Sequence, residues 1–358
     1  MRILHIAPHY GGGIAPAVIG IIEAIPASHV LVEIEKTRDS ASLQLFNELG
    51  IFLRSISSLR MEDVGVVAAD FVIFHFWDSH LWSQLASVES VCLIRGSILL
   101  NHQAFIFNGT NAYYVGELFD ACVQSGFIGD GLPQNWALVP TCKSEKNMTR
   151  VVLQREQKAV YIGTLDYKKV SKDFFIITNQ LSDANIKVDI YGKLLDDIFA
   201  KDLRMFQSPN VKYKGYSLEK VPILRKSTFF LYPLRSNHYG TTENVLLEAM
   251  TEGVIPLVKR NSVETVILGE DLMTSLDIDR CLTKPNYEFF ESNKIRSELS
   301  NLVRLRALEL TNLKLRQCVW EPILSNTSRK STRCSISEIA NQIYLIGERF
   351  SGTSSTKT

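Results

Sequence analysis

The sequence lacks several features that would assign it to a common class of protein. No apolar run approaches the roughly 20 residues of a membrane-spanning helix, and the N-terminus has none of the regions of a signal peptide. The six cysteines are scattered without a C-x-x-C pair, so we expect reduced thiols. No H-E-x-x-H or G-x-x-x-x-G-K-[ST] motif occurs, which argues against zinc and P-loop chemistry. We therefore expect a cytoplasmic protein without a transmembrane segment.

Charge is distributed unevenly, although the net charge is only +1. From Met1 to Cys142 there are 6 Lys and Arg against 13 Asp and Glu, and the remainder has 33 against 25. This asymmetry favours an anionic ligand in the second half, while solvated faces would explain it equally well. No basic stripe with interleaved aromatic residues occurs, which argues against a nucleic-acid partner. Peripheral contact of a local basic patch with a membrane is left open.

Short apolar segments alternate with helical ones in both halves, and this rhythm predicts an α/β protein with two doubly wound parallel sheets. The strands predicted in the first half are Arg2–Ala7, His29–Ile34, Phe71–Phe76, Val91–Ile94, Ala112–Val115 and Ala137–Val139. We expect a first domain over residues 1–142, a charged linker over 143–158, a second domain over 159–334, a helix over 335–350 and a disordered tail over 351–358.

A glycine triplet follows the first predicted strand in "HIAPHYGGGIAPAV". Such a loop can aim backbone N–H groups at a phosphate. The dinucleotide fingerprint G-x-G-x-x-G is incomplete, because Pro16 stands at its last position. The sequence also shows no catalytic pair of the kind that a dehydrogenase needs. Both observations argue against a nicotinamide-dependent dehydrogenase.

The most informative stretch is "FFLYPLRSNHYGTTENVLLEAMTEGVIPLVKRN". We expect Thr241 or Thr242 to cap a helix, whose N-terminus could hold a diphosphate. Thr241 and Glu248 would lie on one face of this helix, which places a carboxylate where ribose hydroxyls would bind. An ordinary capped helix with solvent-facing glutamates is the alternative interpretation.

Part of this stretch, "LEAMTEGVIPLV", resembles the signature of the retaining glycosyltransferases of family 4, in which two glutamates lie eight residues apart. The resemblance implies that Glu248 binds the nucleotide ribose. The first glutamate, which contacts the donor sugar in that family, falls at Gly240, a departure from the pattern. Glu243 could supply the missing carboxylate or merely stabilise the helix dipole, and both interpretations stay open.

Other segments of the sequence resemble further motifs of the same family, and they occur in the same order along the chain. "VYIGTLDYKKVSKDF" resembles the strand-turn that contains Gly163 and Lys169, but Thr164 stands where the family has a diphosphate-binding arginine. Lys169 remains as a phosphate partner, and Lys168, Lys172 or Arg235 could compensate. "VDIYGK" ends at Lys193, and "VKYKGY" ends at Tyr216, which would stack on the base.

The match in the first half is looser. The glycine triplet resembles the family's loop over the donor phosphates, and "ADFVIFHFWDSH" places His75 at the end of a buried strand. A histidine there could be catalytic or a core residue. Trp77 and Asp78 could contact an acceptor sugar, and Arg95 replaces a family histidine in "LIRGSIL".

The resemblance implies a GT-B fold, with two Rossmann-like domains facing across a cleft and a C-terminal helix crossing back. It implies a hexosyl- or related glycosyltransferase that is retaining and metal-independent. The donor would be a UDP- or GDP-sugar, with no further cofactor, and the acceptor a glycan or other hydroxyl compound in polysaccharide biosynthesis. The rival hypothesis is a non-catalytic GT-B scaffold or partner subunit.

Three groups of site residues are expected from this comparison. The catalytic candidates are His75, Lys169 and Glu243. The donor-binding candidates are Gly12, Gly13, Gly163, Thr164, Lys169, Lys193, Tyr216, Arg235, Gly240, Thr241, Thr242, Glu243, Asn244 and Glu248. The acceptor-binding candidates are Trp77, Asp78 and Arg95.

Overall fold

The computed structural model describes residues 1–55, 69–77, 96–102, 119–127, 132, 136–142, 155–217, 219–236, 238–283 and 288–327. The chain divides into two compact units: the first joins Met1–Ser144 with Leu313–Thr358, and the second is Glu145–Asn312. Each unit contains one sheet of parallel strands with accompanying helices. Among the helices of these described ranges, none combines the length and apolar character needed to cross a membrane.

The first unit has a seven-stranded sheet in the order β3-β2-β1-β4-β5-β6-β7. Its strands are β1 Arg2–Ala7, β2 Ser28–Glu33, β3 Leu53–Ser55, β4 Phe71–Phe76, β5 Gly96–Asn101, β6 Ala121–Ser125 and β7 Trp136–Val139. Every residue of β4 and β5 is buried, as expected for parallel strands covered on both faces. Two of the predicted strands, Val91–Ile94 and Ala112–Val115, lie outside the described residues.

Three helices of the first unit are described: α1 Ile14–Ala24, α2 Ser40–Glu48 and, much later in the chain, Leu313–Thr327. Pro16 lies in the first turn of α1, where its missing N–H costs no helical hydrogen bond. The core is formed by β-strand residues such as Ile3 and Ile98 together with Ile21 of α1 and Trp320.

The return of the chain to the first unit occurs earlier than the predicted domain limit at residue 334. Trp320 is 1% exposed within the first unit's core. The guanidinium of Arg316 donates hydrogen bonds to the carbonyls of Gly20 and Cys142, also in that unit. The burial of these two side chains explains why 313–327 belongs with the first unit. The helix predicted over 335–350 and the tail over 351–358 lie outside the described residues.

The second unit has a five-stranded sheet in the order β10-β9-β8-β11-β12. Its strands are β8 Glu156–Ile162, β9 Lys187–Tyr191, β10 Val211–Gly215, β11 Ser227–Tyr232 and β12 Ile255–Val258. Strand β8 begins at Glu156, inside the predicted linker, and is paired with β9. The Lys158 ammonium forms an ion pair with Asp189 of β9. The linker residues 143–154 are outside the described residues.

The helices of the second unit follow its strands and cover the sheet. They are α3 Phe174–Asp183, α4 Asp197–Phe206, α5 Lys220–Lys226, α6 Asn244–Thr251, α7 Ser262–Leu268, α8 Glu270–Leu276, α9 Ile278–Cys281, α10 Glu288–Glu291 and α11 Asn293–Leu310; the first unit's Leu313–Thr327 is α12. The loops that contain the expected site residues of this unit directly follow the carboxyl ends of β8, β9, β10 and β11.

Candidate functional site

Two glycines allow the ends of β8 and β9 to pack directly on each other. The N–H of Gly163 donates to the carbonyl of Tyr191 at 3.1 Å. A Cβ on Gly192 would overlap the Gly163 carbonyl oxygen, so no larger residue fits there. The backbone carbonyl of Thr164 accepts a 2.7 Å hydrogen bond from the Tyr161 hydroxyl, which anchors the start of the loop.

The loop after β8 is tied to the end of β11 by backbone hydrogen bonds. The N–H of Arg235 donates to the carbonyl of Lys169 at 3.0 Å, and the N–H of Ser171 donates to Pro233 at 2.9 Å. The Arg235 guanidinium donates to the Tyr167 carbonyl at 3.3 Å and is exposed to solvent. The structure thus brings Lys169 and Arg235 together from positions 66 residues apart in the numbering.

Glu243 is a buried charged group at these strand ends. Its carboxylate lies 3.0 Å from Lys169 Nζ and accepts a hydrogen bond from the Tyr232 hydroxyl. Burial raises the pKa of a carboxyl group, but Lys169, His238 and the Tyr232 hydroxyl together outweigh it, and the pKa of Glu243 falls below its usual range. Burial would likewise lower the pKa of Lys169, yet Glu243 raises it. Both groups are therefore charged at neutral pH.

Gly240 stands directly beneath the Glu243 carboxylate. A Cβ at residue 240 would overlap the Glu243 Oε1 atom. The carboxylate of Glu243 thus occupies the space that a side chain at 240 would take. The resemblance led us to expect a glutamate at position 240, where the sequence has glycine. In the structure the carboxylate of Glu243 lies next to this position.

A substitution at this glycine should be costly. We expect Gly240→Ala to lower the free energy of unfolding by about 1–3 kcal/mol, because overpacking displaces Glu243 or the loop around it. Gly13→Ala is the matched control: no described atom lies within 4 Å of its Cβ, and Gly13 has an ordinary φ of −70°. Urea denaturation of both variants measures the difference. Equal stability of the two variants would show that the space beside Glu243 is not filled as described.

The N-terminus of α6 differs from the sequence prediction. The helix begins at Asn244, and its N-cap is Glu243, not Thr241 or Thr242. Glu243 adopts a left-handed conformation with φ 46° and ψ 56°, which is uncommon for a residue with a side chain. The contacts of its carboxylate with Lys169 and Tyr232 offset this strain, and they explain why the turn falls here. Thr241 consequently lies outside the helix, so it does not share a helical face with Glu248.

His238 and Glu264 form a buried pair behind Gly240 that sequence reasoning missed. The N–H of Gly240 donates to His238 Nδ1 at 3.1 Å, and His238 Nε2 lies 3.4 Å from Glu264 Oε1. Burial raises the pKa of Glu264. The only sequence signal was N-x-x-E at Asn261–Glu264, and the Asn261 side chain indeed accepts from the Glu264 N–H. That motif predicts a helix cap and does not indicate the histidine contact.

The remaining donor candidates lie along neighbouring loops and helices of the same unit. Glu248, within α6, is 3.1 Å from Lys220 Nζ of α5 and largely buried. Tyr216 follows β10 and is 49% exposed, which leaves ring surface for stacking. Lys193 Nζ lies 4.8 Å from the centre of the Tyr216 ring, a cation–π contact.

In the first unit, the glycine loop is exposed at Gly12 and Gly13. Gly12 has a φ of +64°, which favours glycine, and its N–H donates to Asp39 Oδ2 at 3.0 Å. Trp77, directly after β4, has its ring edge-on to His102 at a centroid distance of 6.3 Å. Asp78 and Arg95 are outside the described residues.

His75 is fully buried, which fits the core alternative that the sequence left open for it. Its Nε2 lies 2.9 Å from His5 Nδ1, and its Nδ1 lies 2.9 Å from His102 Nε2. Both ring nitrogens are therefore engaged by other histidines within the sheet. His102, which none of the sequence motifs had singled out, directly follows β5, and its ring centre lies 6.3 Å from that of Trp77; the ring of His9 lies closer to Trp77, at 5.2 Å.

The chain is similar to known proteins in its structure but not in its sequence. No model of a known protein family matches the sequence, and no curated protein matches it either. The chain resembles Anabaena Alr3699/HepE in complex with UDP and glucose, with a TM-score of 0.65 and 12% identity over 91% of this chain and 99% of that one. It resembles a glycosyltransferase from Rickettsia africae, with a TM-score of 0.64 and 9% identity over 92% and 99%.

A structure described as trehalose-6-phosphate from E. coli bound with UDP-2-fluoro glucose also matches, with a TM-score of 0.61 and 11% identity over 92% of this chain and 99% of that one. At such low identity the likeness establishes the fold and no more. Two parallel sheets with accompanying helices, matched over nine tenths of the chain, are the GT-B fold of glycosyltransferases.

Proposed function

We propose that the protein is a glycosyltransferase that moves a sugar from a nucleoside-diphosphate donor to a hydroxyl acceptor. The observation that carries the proposal is the Glu243 carboxylate, which lies over Gly240 and against Lys169 at the carboxyl ends of the second unit's strands. Ligands of open parallel sheets bind at such ends. The similar HepE structure is in complex with UDP and glucose, which supports a nucleotide as the class of ligand for this fold.

The donor diphosphate is assigned to the cationic side of this site. Lys169 has three N–H donors, so it can bind Glu243 and a phosphate oxygen together. Arg235, the N-terminus of α6 at Asn244 and the backbone of Gly163–Thr164 add further donors. Tyr216 with Lys193 suits the base, and Glu248 suits the ribose hydroxyls. UDP or GDP is the nucleotide we propose, and we propose no cofactor.

The proposed reaction breaks the bond between the sugar C1 and the diphosphate oxygen, whose electron pair stays on the leaving group. The acceptor hydroxyl oxygen forms the new bond to C1, and its proton passes to the departing diphosphate oxygen. Lys169, Arg235 and the α6 N-terminus stabilise the departing charge electrostatically, without a metal. Glu243 keeps Lys169 in place and charged. We further propose retention of configuration and a glycan acceptor, by analogy with the resemblance in sequence.

A thermal-shift screen against UDP, GDP, ADP, CMP and NAD tests the proposal. A nucleotide that binds only the folded state adds about 2.7 kcal/mol to the free energy of unfolding at a hundred times its Kd. It therefore raises the melting temperature. We expect one nucleoside diphosphate to give this shift and Glu248→Ala to abolish most of it. Glu298→Ala is the matched control, since Glu298 is an exposed residue of α11 in the same unit.

The negative outcomes of this screen separate the alternatives. A response to NAD alone would overturn the proposal in favour of a dinucleotide enzyme. No response to any nucleotide would favour the non-catalytic scaffold, because a scaffold has no need of donor binding. If the nucleotide raises the melting temperature of Glu248→Ala as much as that of the wild type, Glu248 does not bind the ribose. The other residues of the proposed donor site would not be affected by this result.

A further inference from the structure

The tripeptide His-Tyr-Gly occurs once in each unit, at residues 9–11 and 238–240. In both copies the glycine N–H donates to Nδ1 of the histidine two positions earlier at 3.1 Å, from Gly11 to His9 and from Gly240 to His238. An Asn or Asp side chain makes the same bond in an Asx turn, so histidine here takes the place of a turn-forming residue. The recurrence indicates that the tripeptide itself favours this turn.

The second copy lies between two carboxyl groups. His238 Nδ1 is 3.4 Å from Glu243 Oε1, and His238 Nε2 is 3.4 Å from Glu264 Oε1. All three side chains are no more than 2% exposed. Glu264 is anchored at the start of α7, where its N–H donates to the Asn261 side chain at 3.1 Å. The His238 ring therefore lies between α7 and the loop that contains Gly240 and Glu243.

The bond from Gly240 determines which nitrogen of His238 carries the hydrogen. A backbone N–H can only donate, so Nδ1 must accept, and the hydrogen of the neutral ring is then on Nε2. Nε2–H faces Glu264 Oε1, which can accept as a carboxylate or as the carbonyl oxygen of a neutral carboxyl group. With a hydrogen on Nδ1, His238 would donate to Glu243 Oε1 instead, and Gly240 would lose its acceptor. The two arrangements exclude each other.

The turn supports the strained residue on which the contact with Lys169 depends. Glu243 has a φ of 46° and lies three residues after Gly240. Its Oε2 atom contacts Lys169 Nζ at 3.0 Å and the Tyr232 hydroxyl. Its Oε1 atom lies over Gly240 and beside His238. A left-handed backbone persists only where its surroundings hold it, and His238 with Gly240 holds it on the side of Oε1.

We propose that His238 is a positioning residue for the nucleotide-sugar donor. By accepting the hydrogen bond of Gly240, it holds the turn that keeps Glu243 against Lys169, and Lys169 is thereby directed at the donor diphosphate. The step to the diphosphate rests on the proposed function, whereas the step to the Lys169–Glu243 pair does not. His238 acts through these neighbours and needs no contact with a ligand.

Two substitutions at position 238 separate the acceptor from the packing of the ring. Asn has its oxygen where His has Nδ1, so His238→Asn keeps an acceptor for Gly240 and completes an ordinary Asx turn. Gln has its polar group where His has Nε2, so His238→Gln keeps a donor towards Glu264 and loses the acceptor for Gly240. Both variants lack the ring, so a purely structural role predicts similar effects from both.

The coupling between Lys169 and Glu243 is the first readout, and it needs no ligand. Lys169→Met is introduced into the wild type, His238→Asn and His238→Gln, and each pair of proteins is unfolded in urea. Where the turn is broken, Glu243 can move to water when its cation is removed. We therefore expect Lys169→Met to cost the Asn background as much stability as the wild type, and the Gln background about half as much.

The same cost of Lys169→Met in the Asn and Gln backgrounds would overturn the proposal. His9→Gln is the matched control, because it breaks the same turn in the first unit. In that background Lys169→Met should cost as much stability as in the wild type. A reduced cost there would also overturn the proposal, since the effect would then not be specific to the turn at Gly240.

Nitrogen-15 NMR of the histidine-labelled wild-type chain tests the tautomer of His238, and it remains decisive if His238→Gln fails to fold. Rings with the hydrogen on Nε2 and on Nδ1 have different ¹⁵N shifts, and the signals absent from His238→Asn identify the residue. At pH 8 we expect a hydrogen on Nε2 and none on Nδ1. A hydrogen on Nδ1, alone or together with one on Nε2, would overturn the proposal.

Titration of UDP and GDP into the same proteins tests the step to the diphosphate. We expect the nucleotide that binds the wild type to bind His238→Asn within about threefold, and His238→Gln about tenfold more weakly, as for the loss of one hydrogen bond. Equal affinities of the two variants would overturn this step. If neither nucleotide binds the wild type, the diphosphate step fails together with the proposed function, while the result of the Lys169 coupling decides the positioning of Glu243 separately.

Discussion

Neutralising Glu243 alone should cost the second unit about 3 kcal/mol of unfolding free energy, near the lower end of what breaking a buried ion pair costs. In Glu243→Gln the Lys169 ammonium stays charged with its partner gone. Lys169 is 14% exposed and Glu243 is 2% exposed, so water replaces little of the lost interaction. Lys169→Met should be similarly destabilising, because it leaves the Glu243 carboxylate buried without its cation.

The double variant Lys169→Met/Glu243→Gln gives the sharper result. Removing both charges leaves neither one uncompensated, so we expect the double variant to lose less stability than either single variant, and far less than the sum of both losses. Urea unfolding of the four proteins completes the cycle. Glu309→Gln is the control, since Glu309 is 62% exposed in its pair with Arg306 and should change stability by less than about 0.5 kcal/mol. Additive losses would contradict the coupling of Lys169 with Glu243.

The contrast between these residues shows what the sequence could predict. Lys169 and Glu243 were both expected at the site, because each lies in a motif with a distinct order of residue types. Their pairing could not be predicted, since it depends on the backbone bonds between Lys169 and Arg235 and on the left-handed turn at Glu243. The N-cap was misplaced for the same reason: two threonines are good caps locally, but tertiary contacts of Glu243 decide where the helix begins.

The strands show a similar limit. Largely apolar segments such as Phe71–Phe76 were predicted correctly, because burial on both faces leaves little room for polar residues. Strand β5 was missed, as its Ser97 and Asn101 resemble loop residues. In the structure both are buried and paired, Ser97 with Asp120 and Asn101 with Gln124. Such partners lie 23 residues away and have no signature in either local sequence.

A row of hydrogen-bonded histidines in the first unit is an extreme case of this limit; it consists of His29, His5, His75 and His102. Its members are separated by 24, 70 and 27 residues between bonded partners. No spacing rule connects them, and only the parallel register of four strands brings them together. From the sequence, His75 was a single candidate, with a core role as the alternative. The structure fits the core role, because His75 is fully buried and both of its ring nitrogens are paired with other histidines.

Acid should destabilise the first unit at a pH well above that at which carboxylates titrate. Burial lowers the pKa of His5, His75 and His102 in the folded state, while the unfolded chain titrates near 6.5. The unfolded state then binds more protons below pH 6.5, so stability falls as pH falls. Each fully buried ring contributes up to about 1.4 kcal/mol per pH unit. For His102 this window extends from 6.5 down to about 3.

Urea unfolding between pH 8 and 5 measures this slope, in a range where carboxyl groups with an ordinary pKa of 4.5 take up few protons. His102→Gln keeps a donor towards His75 and removes one titrating ring, so its slope should be shallower by up to about 1.4 kcal/mol per pH unit. His9→Gln is the matched control. His9 is partly exposed, and Glu35, Glu33 and Asp39 partly offset the effect of burial on its pKa. Equal slopes in wild type and His102→Gln would mean that His102 titrates in the folded protein as it does in the unfolded chain, which would contradict a pKa lowered by burial.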